Sequence, residues 1–313
     1  MVLDIIWIVL GVVLVLRGAD RLTEGASALA RRMNIPEIII GLTIVAAGTS
    51  APELFVSLVS ALKGTPDMAV GNVVGSNTMN CMLIVGCAAM VAPMTISRST
   101  VRKDIPFAVG AAALLILLAF DNFLGRLDGI VLLAGFTAFM AYSFIAVRGE
   151  KKEVRGEKKE VRGEKSPLLS GFYVLLGLAL LVFGSNIFVD HASNLALALG
   201  VSEGVVGLTV VAGGTSLPEL ATSVVAARKG QSAIAIGNVI GSNVFNILLI
   251  LGLTAAISPL AIEGITTLDM AVMFLSVALV WFFSRTRYTV ERWEGAVLVL
   301  GYLAYLAWML YNL

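Results

Sequence analysis

Two long stretches of this chain contain no charged residue, and this feature limits the possible folds more than any other. Residues 68–97 and 230–262 carry no Asp, Glu, Lys or Arg over 30 and 33 positions, respectively. An α-helix needs about 20 predominantly apolar residues to cross the hydrocarbon core of a bilayer. Each stretch is long enough for a membrane span, so we predict an integral membrane protein.

The composition of the chain agrees with this prediction. Apolar residues make up 58% of the sequence and charged residues 14%, and the mean hydropathy is +0.93, whereas a soluble domain carries about 25% charged residues. Thirteen of the charged residues lie within residues 148–165, which leaves the rest still poorer in charge. A net charge of +1 gives no reason to expect nucleic-acid binding.

Further apolar windows extend the pattern to ten predicted spans. Their predicted bounds are about 2–22, 36–62, 68–92, 104–120, 127–147, 167–189, 203–227, 231–257, 268–284 and 293–312. With ten spans, 18 basic residues fall on one side of the membrane and two on the other, with Arg17 and Arg21 left uncounted. Because basic residues favour the cytoplasmic side, we expect a multi-pass protein of the cell membrane. Both termini would then be extracellular, and the charged segment 148–166 would be cytoplasmic.

The chain also contains an internal repeat. Residues 18–96 align without a gap with residues 184–262, at an offset of 166, and 36 of the 79 pairs are identical. Five predicted spans separate equivalent residues, and because five is odd, the second half would enter the membrane inverted. Inverted repeats are typical of transporters. We therefore predict an all-α membrane protein of ten transmembrane helices in two inverted five-helix repeats, residues 1–147 and 167–313, with residues 148–166 as a charged linker.

Each half places one glutamate deep inside an apolar window. Glu53 and Glu219 occupy equivalent positions, each far from both ends of a window that is otherwise without charge. An isolated carboxylate at that depth costs at least about 2.5–3.5 kcal/mol, and two of them would repel each other unless a cation lies between them or one is protonated. A structural ion pair is the alternative, but no Lys or Arg lies at similar depth in any window.

The residues around both glutamates supply further oxygen atoms. Pro52 and Pro218, with the glycines before them, predict interrupted helices with freed carbonyl groups near Ala46 and Ala212. The side-chain candidates come in equivalent pairs, which are Thr49 and Thr215, Ser50 and Ser216, Ser76 and Ser242, and Asn80 and Asn246. The serines and asparagines have an alternative interpretation as polar contacts between helices.

This candidate set offers only oxygen ligands and two negative charges. Calcium takes six to eight oxygen ligands in flexible geometry, whereas magnesium favours a rigid octahedron that keeps bound water. Transition metals favour His or Cys, and the set contains neither. The chemistry therefore favours Ca²⁺, and the same oxygen atoms are also suited to several Na⁺ ions.

Two motifs, each with a second-half copy, resemble the α-repeats of a known family. Gly-Thr-Ser-Ala-Pro-Glu at 48–53 and Gly-Asn-Val-Val-Gly-Ser-Asn at 71–77 resemble the calcium/cation antiporter superfamily, specifically the sodium/calcium exchangers. The resemblance implies an inverted five-plus-five fold that holds its ions between helices 2, 3, 7 and 8. It also implies two central ligands, Glu53 and Glu219, and a supporting set formed by Thr49, Ser50, Thr215, Ser216, Ser76, Ser242 and the carbonyls of Ala46 and Ala212.

Asn80 and Asn246 occupy the last position of each Gly-Ser-Asn-x-x-Asn motif. Some relatives carry Asp at the position of Asn246, so the present set is one carboxylate poorer than theirs. Because potassium-dependent exchangers resemble the Asp version, Asn246 argues against potassium co-transport.

The leading hypothesis for function is secondary antiport of Ca²⁺ against Na⁺ through one alternating-access site. We expect a protein that is not an enzyme, needs no cofactor, takes Ca²⁺ and Na⁺ as substrates and works as a monomer in the lipid bilayer. Exchange of Ca²⁺ or another cation for H⁺ is the alternative, because paired carboxylates also carry protons. A cation channel is a further alternative, which the inverted halves and broken helices disfavour.

Overall fold

The apolar windows form helices, which satisfy their backbone hydrogen bonds internally, as a bilayer demands. The computed structural model describes residues 1–33, 35–153, 167–200, 210 and 212–311. The helices of the first half are α1 (Val2–Met33), α2 (Glu37–Thr49 and Ala51–Leu62), α3 (Pro66–Val91), α4 (Ile105–Leu118) and α5 (Arg126–Glu153). Those of the second half are α6 (Pro167–Ala198), α7 (Ala212–Thr215 and Leu217–Arg228), α8 (Ser232–Ile257), α9 (Thr267–Arg287) and α10 (Arg292–Tyr311).

Seven of the described helices are long and apolar enough to cross a membrane, namely α1, α3, α5, α6, α8, α9 and α10. An eighth span is added if the two arms of α2, bent by 46°, count as one. The chain is therefore a mostly helical, multi-pass membrane protein, as the sequence predicts. The full set of ten spans stays a prediction, because α4 has only 14 residues and residues 203–209 and 211 of the predicted seventh span lie outside the described residues.

Two helices run well beyond their predicted spans. The helix α1 continues to Met33 rather than ending near residue 22, and α6 continues to Ala198 rather than ending near residue 189. Charged residues such as Asp20 and Arg21 end an apolar window, but they do not interrupt the backbone hydrogen bonds of a helix. The helix α5 likewise reaches Glu153, past the predicted repeat boundary at residue 147.

Helices α3 and α8 form the centre of the molecule. In α3, 78% of the most apolar window is buried, and in α8 the fraction is 94%, compared with 22% in α1. Both central helices contain a π-helical turn, at Asn80–Ile84 in α3 and Phe245–Leu251 in α8. Such turns insert an extra residue into the helix and are frequent at functional sites.

Two very short antiparallel ladders join the halves. Strand β1 (Met94–Thr95) pairs with β4 (Thr289–Val290), and β2 (Phe123–Leu124) pairs with β3 (Leu260–Ala261). The two ladders are equivalent under the offset of 166 residues, so each half gives one strand to each ladder. Exchanging the two halves therefore places each ladder on the other, as an approximate two-fold axis would.

Helices α1 and α6 lie in backbone contact along a row of glycines. A Cβ atom on Gly18 would lie 2.8 Å from the carbonyl oxygen of Gly177, and one on Gly11 would lie 2.8 Å from that of Gly184. Small residues allow such close approach between helices in a membrane. This contact fixes the spacing of α1 and α6.

The close contact predicts that Gly177→Ala destabilises the protein, because its Cβ would lie 2.5 Å from the backbone nitrogen of Leu22. We expect the free energy of unfolding to fall by about 1–3 kcal/mol, measured as a lower midpoint in thermal unfolding of the purified protein in detergent. Gly171→Ala in the same helix is the control, because a Cβ there meets no atom within 4 Å. Equal stability of the two variants would contradict the packing argument.

Candidate cation site

Each half of the chain breaks a helix just before its buried glutamate. The break in α2 falls at Ser50 (φ −81°, ψ 6°), and the break in α7 falls at Ser216 (φ −90°, ψ 6°). In both cases a proline lies in the first turn of the following helix, where its missing N–H is tolerated. The predicted interruption is thus confirmed, and it places Glu53 and Glu219 in the first turn of the second arm.

The expectation that the carbonyl of Ala46 is freed by this break is wrong. It accepts the backbone N–H of Ser50 at 2.9 Å and the hydroxyl of Thr49 at 3.3 Å. A proline removes the donor for the carbonyl four residues before it, which belongs to Gly48 in the first half and Gly214 in the second. Gly214 accepts a hydrogen bond from the hydroxyl of Ser185 at 2.5 Å. Ala212 lies in the described part of the first arm of α7, and its role as a ligand stays a prediction.

The two glutamates are buried and held by serines from the opposite half. Glu53 is 1% exposed and Glu219 is 0% exposed, so neither faces lipid or bulk solvent. The hydroxyl of Ser50 donates to Oε1 of Glu219 at 3.1 Å, and the hydroxyl of Ser216 donates to Oε1 of Glu53 at 3.2 Å. The serine at each helix break therefore binds the carboxylate of the other half, so the two carboxylates belong to one site.

Helices α3 and α8 add further hydroxyl groups to this site. The hydroxyl of Ser242 donates to Oε1 of Glu219 at 3.4 Å, and that of Ser76 lies 3.2 Å from the hydroxyl of Ser216. Thr49 and Thr215 each interact with the glutamate of the opposite half. The structure therefore assembles Glu53 and Glu219 with three of the predicted pairs, Thr49 and Thr215, Ser50 and Ser216, and Ser76 and Ser242.

The predicted asparagines form a reciprocal network beside the glutamates. Nδ2 of Asn80 donates to Oδ1 of Asn243 at 3.0 Å, and Nδ2 of Asn246 donates to Oδ1 of Asn77 at 3.0 Å. These two bonds orient the amide groups of Asn80 and Asn246. The Oδ1 atom of each accepts no hydrogen bond within the described part of the chain. Asn77 and Asn243 thus orient the candidate ligands.

Two positioning residues were not singled out by the sequence analysis. Asn72 donates to the carbonyl of Glu53 at 3.2 Å and to the hydroxyl of Ser57 at 2.9 Å. In the second half, Asn238 makes the equivalent bonds to Glu219 at 3.3 Å and Ser223 at 3.0 Å. The signal was present in the sequence, because a Gly-Asn pair begins the second motif in both halves.

Four buried oxygen atoms of the site accept no hydrogen bond within the described part of the chain. They are Oε2 of Glu53, Oε2 of Glu219, Oδ1 of Asn80 and Oδ1 of Asn246. Neither glutamate makes an ion pair with any described residue. Burying unpaired oxygen atoms and two carboxylates is costly unless positive charge accompanies them. The arrangement is therefore suited to binding cations.

The donor set also limits the kind of cation. Among the described residues, no group of three or more His, Cys, Asp or Glu side chains is placed to hold a metal ion. The site instead combines two carboxylates with hydroxyl and amide oxygens. Hard cations such as Ca²⁺ prefer oxygen ligands, whereas transition metals prefer imidazole or thiolate.

Comparison with known proteins places the chain in a family. The family model "Sodium/calcium exchanger protein" matches residues 3–145 and 169–311. The chain belongs to this exchanger family. The match covers both halves and omits the charged segment between them.

Curated relatives match along almost the whole chain. The putative antiporter CaxA of Alkalimonas amylolytica is 35% identical over 312 residues, with 97% of this chain and 98% of that protein covered. The sodium/calcium exchanger MaX1 of Methanosarcina acetivorans is 35% identical over 341 residues, with 97% of each covered. A solved structure of the sodium-calcium exchanger NCX_Mj, soaked with Na⁺ and Ca²⁺, superposes with a TM-score of 0.86 at 29% identity and covers 98% of both chains. The family consists of exchangers and not of enzymes.

The buried oxygen atoms predict that cations stabilise the fold. Adding Ca²⁺ to ion-free protein should raise the free energy of unfolding by about 2.7 kcal/mol at about 100 times the dissociation constant. Glu53→Gln and Glu219→Gln should lose this response and should be at least as stable as the wild type without ions, because each removes one buried charge. Thermal unfolding of the purified proteins in detergent, with and without a chelator, measures both effects.

The exposed Glu263 supplies the control, because Glu263→Gln makes the same chemical change outside the site. A variant at Glu53 or Glu219 that keeps the full Ca²⁺ response would show that its carboxylate does not bind the ion.

Proposed function

We propose that the protein is a secondary active antiporter that exchanges Ca²⁺ for Na⁺ at the site around Glu53 and Glu219. The observation that carries the proposal is the pair of buried carboxylates, each bonded to a serine of the opposite half and each with one unpaired oxygen. Two negative charges balance one Ca²⁺ or two Na⁺ ions. The names of the relatives MaX1 and NCX_Mj support this choice of ions.

The proposed ligands are the glutamates with the neighbouring oxygen atoms. The full proposed set is Glu53, Glu219, Thr49, Ser50, Thr215, Ser216, Ser76, Ser242, Asn80, Asn246 and the carbonyl oxygen of Ala212. The carbonyl oxygen of Ala46 is left out, because it already accepts two hydrogen bonds. One site with shared oxygens makes the binding of Ca²⁺ and of Na⁺ mutually exclusive, and exclusive binding is what couples the two fluxes. The ions are substrates, and the proposal involves no cofactor.

The charge of the site also explains why exchange is favoured over one-way transport. An unloaded site carries two carboxylates, and moving uncompensated charge through hydrocarbon is costly. The protein would therefore change its conformation readily only with cations bound. After an ion is released on one side of the membrane, another cation must then bind before the protein can change back to the conformation open to the other side.

We further propose that alternating access uses ten helices in two inverted repeats. The reciprocal bonds Ser50–Glu219 and Ser216–Glu53 and the two equivalent strand ladders support it, because two halves related by an approximate two-fold axis are expected to make such paired contacts. Residues 1–147 and 167–313 would form the repeats and residues 148–166 a cytoplasmic linker, with both termini outside and a monomer as the working unit. Accessibility of single cysteines to a membrane-impermeant reagent in intact cells tests the orientation.

Exchange of Ca²⁺ for protons remains the second candidate, since carboxylates bind protons as well as Na⁺. In liposomes containing the purified protein, we expect uptake of radioactive Ca²⁺ under an outward Na⁺ gradient and little uptake under a pH gradient alone. Uptake driven equally by the pH gradient would replace Na⁺ with H⁺ as the coupling ion. Steady Ca²⁺ flux without any counter-ion would point to a channel instead.

The carboxylates also predict the phenotype of two variants. Glu53→Gln and Glu219→Gln should reduce Na⁺-driven Ca²⁺ uptake to the level of protein-free liposomes, because each removes half of the charge that balances Ca²⁺. Both variants should elute as folded protein in size-exclusion chromatography, and Glu263→Gln should transport like the wild type. Wild-type uptake rates in either site variant would refute the assignment.

A further inference from the structure

A polar cavity lies away from the cation site, between the residues just before α4 and the end of α9. It has a volume of about 320 Å³ and is lined by Val101, Arg102, Trp281, Arg285 and Tyr288. This volume falls within the range of small-molecule sites, about 300–1,000 Å³. Its lining contains two arginines, two aromatic residues and no acidic residue. By the sequence prediction, this end of the protein faces the cytoplasm.

Two of the three arginines at or beside this cavity, Arg98 and Arg285, lie over aromatic rings. The guanidinium of Arg285 lies 5.2 Å from the ring centre of Trp281, and that of Arg98 lies 5.2 Å from the ring centre of Tyr288. Within the described part of the chain, none of Arg98, Arg102 and Arg285 forms an ion pair. A guanidinium that stacks on a ring keeps its N–H donors available to an anion.

The cavity walls are fixed to the fold at two points. The indole N–H of Trp281 donates to the carbonyl oxygen of Val101 at 2.9 Å, which ties α9 to the turn before α4. The backbone N–H of Ile96 donates to the carbonyl oxygen of Tyr288 at 2.7 Å, next to the ladder of β1 and β4. Both ring platforms are therefore held in place before any ligand binds.

The repeat provides an internal comparison for this cavity. The offset of 166 residues relates the ladder of β1 and β4 to that of β3 and β2, so the other end of the protein has an equivalent position. The residues there are Gly264, Leu268, Leu115, Ala119 and Asn122, in place of Arg98, Arg102, Trp281, Arg285 and Tyr288. The repeat thus folds without the arginines and the rings. The usual excess of basic residues on the cytoplasmic side and of Trp and Tyr at membrane interfaces accounts for these residue types, but it does not account for the stacking of Arg285 on Trp281 and of Arg98 on Tyr288.

Tyr288 adds a conformational argument. It has φ 55°, and its equivalent Asn122 has φ 59°. Asparagine adopts this left-handed region with little strain, whereas a bulky side chain rarely does. The second half therefore places a ring at a backbone position that favours asparagine, and a strained residue of this kind points to a functional constraint.

From this geometry we propose that the cavity binds a phosphate-bearing anion, namely the headgroup of an acidic phospholipid of the cytoplasmic leaflet. Arginine forks match phosphate oxygens in bidentate geometry. Tryptophan and tyrosine lie at the depth of headgroups in membranes, and basic pockets between helices on this side are suited to acidic lipid headgroups. The proposal needs only a membrane protein with this end at the cytoplasmic surface. It is independent of which ions the protein transports.

Native mass spectrometry of the purified full-length protein in detergent tests the proposal, with phosphatidylglycerol and phosphatidylcholine of equal chain length as probes. The wild type should bind phosphatidylglycerol in preference, and the double variant Arg102→Gln/Arg285→Gln should bind it about tenfold more weakly or worse. The matched control is Arg32→Gln/Arg228→Gln, which removes the same charge from exposed residues of α1 and α7. At physiological ionic strength, where the Debye length is about 8 Å, the control should bind like the wild type.

Two further arms separate the remaining outcomes. Tyr288→Asn should keep its thermal stability, because asparagine suits the backbone, and should still lose the preference for phosphatidylglycerol. Inorganic phosphate should compete only weakly, since it lacks the rest of the lipid, and full displacement by phosphate would show that the source is a soluble anion. Equal losses in the two double variants, or no lipid preference in the wild type, would overturn the proposal.

Discussion

Two carboxylates buried together in a membrane protein are the constraint on which the rest of this structure depends. Glu53 and Glu219 have no described cationic partner, and each keeps one oxygen free of hydrogen bonds. Serines bind the other oxygen of each, and asparagines fix the backbone on which each glutamate is carried. Such an arrangement is costly unless a cation or a proton shares the site, because desolvation and mutual repulsion are otherwise not offset.

The site belongs to both halves equally, and neither half contains it alone. The serine at each helix break reaches across to the opposite glutamate, and the amide of Asn80 or Asn246 reaches to an asparagine of the other half. A duplicated chain can form such bonds only when the copies face each other about an approximate two-fold axis. The geometry therefore explains why both copies of each motif keep the same polar residues within this sequence.

The sequence was sufficient to predict a helical, multi-pass membrane protein, the helix breaks and the burial of the two glutamates, because each depends on local residue type. A proline in the interior of an apolar window ends one helix and can begin the next, as Pro52 and Pro218 do, and a lone carboxylate among apolar residues stands out by its cost. The π-helical turns, by contrast, are not encoded by a recognisable residue pattern and arise from packing. The hydrogen bonds of the Ala46 carbonyl depend on where the backbone leaves the helix, which local residue type does not determine. Asn72 binds a residue 19 positions away in the sequence, so its role also depends on the tertiary fold.

The π-helical turns also determine how α3 and α8 meet their outer neighbours. An extra residue rotates all later positions by about 100°, and Gly86 follows the turn that begins at Asn80. A Cβ on Gly86 would lie 2.8 Å from the carbonyl oxygen of Gly295 in α10, and one on Gly129 in α5 would lie 2.7 Å from that of Gly252 in α8. Deleting one residue within either turn would leave a regular helix but would swing these glycines out of contact. The length of each turn therefore determines whether the outer helices α5 and α10 can pack closely against the two central helices.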